Sequence, residues 1–101
     1  MLSTSIGLNQ RIIKCIDDSL QVLGKRAKHV IYHYIPKNVQ LRKEEIPEHP
    51  EVFKQAITFL LGEEGSEIIE KLIVQKMIQT FKLRNKSKLT FVEAVQAVKG
   101  K

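Results

Sequence analysis

The chain's three prolines, Pro36, Pro47 and Pro50, all fall in its middle third. Proline lacks a backbone N–H and breaks a helix interior, so long uninterrupted helices are expected on either side of this region. The apolar spacing agrees. Over residues 8–23, Ile12, Ile13, Ile16, Leu20 and Leu23 recur with a helical period. Asn9 is a candidate N-cap and Gly24 suits the position just past the end. Residues 25–35 read as a second helix with Ala27, Val30, Ile31, Tyr34 and Ile35 facing inward. Pro36 disfavours helical geometry at the residue before it, which ends this helix near Ile35.

Residues 37–49 are the least regular and read as an extended turn. Pro50 then fits the first position of a third helix, which carries Phe53, Ala56, Ile57, Leu60 and Leu61 and ends at Gly62. Ser66 caps a fourth, with Ile69, Leu72, Ile73, Met77 and Phe81 on one stripe and Ile68, Val74 and Ile78 widening it. The segment from Leu89 to Val98 opens with a capping box, Thr90 at N-cap and Glu93 at N3. The reading is all-α, a compact bundle of about five helices in one domain spanning 1–101, with 1–7 and 99–101 as frayed ends. Its expected core includes Ile16, Leu20, Ile31, Tyr34, Phe53, Ile57, Leu60, Ile69, Leu72, Ile73 and Phe91.

Composition bounds the function classes. With 43% hydrophobic and 28% charged residues, the chain has a soluble, globular make-up rather than a disordered one. A single cysteine, Cys15, excludes an intramolecular disulfide and fits a reducing, cytoplasmic setting. No secretory signal is read at the N-terminus, and the apolar runs are too short to span a bilayer, so no membrane partner is expected.

Charge is distributed in blocks. Residues 1–43 carry 8 basic and 2 acidic groups, residues 44–70 carry 1 and 8, and residues 71–101 carry 8 and 1. The outer thirds are therefore basic and the middle is acidic. Two basic stretches are candidate anion or nucleic-acid contacts: Lys25, Arg26, Lys28, His29, His33 and Lys37, and then Lys82, Arg84, Lys86 and Lys88. If four of these groups neutralise phosphates, log K against log salt should fall with a slope near −3.6, from about −0.9 per contact. Lys86→Glu with Lys88→Glu should weaken binding to all sequences alike, because phosphate contacts carry no base information. Neither stretch shows the aromatic interleaving of a single-strand stacking platform.

His29 and His33 lie four apart on the outward face of the second helix, yet a zinc site needs further ligands, and only Cys15 and His49 remain, in other segments. No metal and no cofactor is expected. The acidic "GEEGSE" turn lacks the Lys-Ser/Thr of a P-loop and follows a helix rather than a strand. Asp17 and Asp18 read as solvent carboxylates, and Cys15 reads as a small, partly buried thiol with no base beside it. A helix-turn-helix does not fit, because the proline-bearing connection is too long and the third helix is poor in basic residues. No catalytic constellation emerges, and the chain reads as a non-enzyme.

The order "LGKRAKHVIYHYI", "EEIPEHPEVFKQAI", "FLLGEEGSEIIEKLIVQKM", "LTFVEAV" resembles a small archaeal output-domain family of the Nitrosopumilus type. The likeness spans about residues 16–98 and rests on Leu23-Gly24, Ile31-Tyr32, Ile46-Pro47, Gly62, Gly65, Ile69-Glu70 and Phe91-Val92-Glu93. It implies a helical, cytoplasmic archaeal protein and carries over no catalytic residue. The expected function is a non-enzymatic interaction or signalling domain that binds a protein partner and forms a homodimer through the wide apolar stripe of the fourth helix. The alternative is weak, sequence-independent nucleic-acid binding through 25–37 and 82–88.

Overall fold

The structure, a computed structural model, describes residues 2–84 and 89–100, with side chains from Gly7 onward. Its elements are α1 (Leu2–Gln21), α2 (Lys25–Val39), a short 3-10 helix (Lys43–Glu48), α3 (Pro50–Phe81) and α4 (Phe91–Lys99). Among the described residues the fold is an all-α bundle of five helices. No strand occurs among the described residues.

Several boundaries differ from the sequence reading. α1 begins at Leu2, well before Asn9. Asn9 is thus interior rather than a cap, and its amide donates to Glu48 Oε2 at 2.9 Å. α2 continues through Pro36 to Val39 and ends at Gln40 in the left-handed conformation (φ +53°). A proline in the last turns removes one donor. Burial of Ile35 and packing of Val39 against the core offset that cost.

α3 joins the helices read as third and fourth. Gly62 alone is non-helical within it (φ +79°, ψ 173°). The two arms, 50–61 and 63–81, fold back about this residue. Lys54 Nζ meets Glu70 Oε1 at 2.8 Å, and the Thr58 hydroxyl donates to Ser66 Oγ at 2.9 Å. Both pairs are centred on Gly62. Ser66 is therefore a buried bridge between the arms and not an N-cap. The Gly62 conformation belongs essentially to glycine alone. Gly62→Ala should cost about 1–3 kcal/mol with no steric clash, since open space surrounds the site. A denaturant midpoint unchanged from wild type would show that the bend does not need this conformation.

The capping box before α4 forms as read: the Glu93 N–H donates to Thr90 Oγ1 at 3.1 Å and the Thr90 N–H donates to Glu93 Oε1 at 3.0 Å. Phe53 and Phe91 pack at the centre with ring centroids 5.5 Å apart. Of the expected core, Tyr34 is exposed at 46%, while Leu60 and Leu72 are only half-buried. Val74 is buried and Ile78 packs against the core, while Ile68 on the flank of the same stripe is 58% exposed.

Candidate functional site on the outer face of α2

α2 buries Ile31 and Ile35, and Tyr32 and Val39 pack on the same side. The helix is thus rotated from the sequence reading, which turned Val30 and Tyr34 inward. Those two are 45% and 46% exposed. Arg26, Val30, Tyr34 and Lys37 are spaced by three or four residues, so they form one continuous outer row. His29 and His33 are exposed beside it. Their rings stack at 6.4 Å between centroids, and His33 meets Tyr34 edge-on at 6.3 Å. The outer face therefore sets Tyr34 beside cationic and imidazole groups.

The inner flank is held by Asp17. The Tyr32 hydroxyl donates to Asp17 Oδ1 at 2.6 Å. Lys43 Nζ lies 3.3 Å from the same oxygen and 4.7 Å from the Tyr32 ring centroid. Asp17 is thus a junction of α1, α2 and the 3-10 helix rather than a solvent carboxylate. Burial first, and then the hydrogen bond to Asp17, push the Tyr32 phenol above its ordinary range. The stability from this neutral phenol is fully present below the ordinary tyrosine pKa near 10 and is lost as pH rises past it.

An open groove of about 630 Å³ runs along this flank, lined by Gln21, Lys25, Arg26, Lys28, His29 and Tyr32. Lys28 is tied back to α1, with Nζ 3.3 Å from Gln21 Oε1 and 4.0 Å from Asp17. Lys25 and Arg26 are exposed, and among the described residues neither takes part in an ion pair.

Of the second basic stretch, Lys82 and Arg84 are described. Lys82 closes α3 in the left-handed conformation, and it and Arg84 are exposed on either side of buried Leu83. Lys86 and Lys88 lie outside the described residues. Arg11 donates to the Thr80 carbonyl at 3.4 Å and covers the Phe81 ring at 4.6 Å, which fixes the end of α3 beside Arg11. The start of α2 is instead fixed beside Gln21 by Lys28. Ten residues of helix separate these points, about 15 Å along the axis. The groove and the end of α3 thus lie at different points along α1.

Cys15 is buried, and burial pushes its thiol up, away from nucleophilic character. Among the described residues no group of three or more His, Cys, Asp or Glu could hold a metal ion, and no helix is long and apolar enough to cross a membrane. Comparison with known proteins yields no match, whether to a family model, a curated protein or a solved structure.

Proposed function

We propose that this chain is a non-enzymatic interaction domain with a regulatory or signalling role, and that the outer face of α2 is its docking surface. The carrying observation is the exposure of Tyr34 and Val30 in one row with Arg26 and Lys37. Apolar area supplies affinity, and the flanking cations select a partner of negative charge. The resemblance to the archaeal output-domain family, with its cytoplasmic setting, belongs to the same proposal.

The second reading, weak nucleic-acid binding, is favoured by the groove beside Lys25, Arg26 and His29. An anisotropy titration separates the two. A labelled acidic peptide carrying leucines and a single-stranded oligonucleotide of equal charge are compared at physiological salt. The peptide is expected to bind at least about tenfold more tightly, because about 1.4 kcal/mol of apolar burial suffices for that factor. Arg26→Glu with Lys37→Glu should abolish it. Tighter binding of the oligonucleotide would favour the nucleic-acid reading instead.

A further inference from the structure

The bend of α3 bears a second exposed surface with the opposite charge. Phe59 is 78% exposed, Ile68 58% and Leu61 42%. Glu63, Glu64 and Glu67 are exposed among them. No described residue forms an ion pair with any of these three acids, and none does so with Arg26 or Lys37. One chain thus displays an acidic, apolar surface and a basic, apolar surface, both uncovered.

We infer that the bend of α3 in one copy seats on the outer row of α2 in another, so that the chain pairs with itself. The inference rests on the docking role proposed for α2 and names its occupant. A two-fold pair uses each complement twice, since a surface of one copy that meets its counterpart is answered by the reverse contact. The net charge of +6 opposes association at a distance. At physiological salt that repulsion is screened beyond about 8 Å, whereas Glu–Arg and Glu–Lys contacts act at closer range. Exposed ion pairs are individually weak. The apolar groups Phe59, Ile68, Val30 and Tyr34 therefore carry affinity, and the charges set which surface meets which.

Charge exchange tests this directly. One variant carries Arg26→Glu and Lys37→Glu, and the other Glu64→Lys and Glu67→Lys. All four positions are exposed, and circular dichroism with thermal melts confirms that each variant is folded. At tens of micromolar, the wild type is expected to sediment at twice the 11.6 kDa chain mass and each variant alone at the single-chain mass. An equimolar mixture of the two should return to twice that mass, because each basic surface again finds an acidic one. Phe59→Gln alone should also give single chains. A monomeric wild type, a variant that still pairs alone, or a mixture that stays monomeric would each overturn self-pairing. A monomeric wild type that still binds the acidic peptide through α2 would sink the self-pairing and leave the interaction reading standing.

Discussion

Phe53→Ala is expected to lower stability by about 3–5 kcal/mol, the range for truncating a fully buried phenylalanine. Phe53 is 2% exposed and faces Phe91, itself 1% exposed. The pair joins the first arm of α3 to α4. Truncation leaves a cavity on the shortest helix of the bundle apart from the 3-10 turn, where little else can collapse inward. Domains of this size have about 5–15 kcal/mol in total, so the variant should sit close to unfolding. Its melting temperature should fall by at least about 12 °C, at roughly 4 °C per kcal/mol. Chemical denaturation gives the measurement. A loss below about 1 kcal/mol, the size of an ordinary surface or partly buried change, would mean that α4 does not dock through this ring.

Glu70 should show the second large effect. Its Oε1 meets Lys54 Nζ at 2.8 Å, and its Oε2 accepts the Phe91 N–H at 2.8 Å. The carboxylate therefore ties both arms of α3 to the first turn of α4. Phe91 is the first helical residue, whose N–H has no partner within the helix, and a negative charge there also meets the positive end of the helix dipole. Glu70 is only 16% exposed, whereas Lys54 is 32% exposed. The ion pair is thus partly screened and contributes less than the bond to the backbone. Glu70→Ala is expected to cost about 2–3 kcal/mol, the scale of a lost charge-assisted hydrogen bond together with the dipole contribution. Lys54→Met should cost less, about 1 kcal/mol, because the partly exposed ammonium is screened by solvent and the bond to the α4 backbone stays in place. Equal losses in denaturant melts would show that the ion pair, and not the cap on α4, is what matters.

Much of the architecture was legible because its signals are local. The Thr90–Glu93 box specifies a helix start within four residues, and both of its bonds form. Gly62 marks the only break inside the long apolar stretch, and the backbone turns there. The face of α2 was not legible for a physical reason. Val30-Ile31 and Tyr34-Ile35 are two adjacent apolar pairs, so two neighbouring faces of the helix look equally hydrophobic. The choice was made by a distant residue, Asp17, which satisfies the Tyr32 hydroxyl and lets that ring pack inward. Lys28 follows, with its stem against α1 and its ammonium at Gln21 and Asp17, as long amphipathic side chains do. The path of α2 through Pro36 was hidden in the same way, since the local cost of the proline is visible in sequence and the burial of Ile35 is not.

The rotation of α2 is also what exposes Tyr34 and Val30 beside Arg26 and Lys37 and so creates the proposed docking surface. Residue-resolved amide shift mapping, with the acidic leucine-bearing peptide titrated into isotopically labelled protein, tests that surface most directly. Saturable shifts concentrated on residues 26–37 are expected, lost in the variant carrying Arg26→Glu and Lys37→Glu. Shifts confined to Lys82 and Arg84, or no saturable shift on α2 at any peptide concentration, would contradict docking through this face.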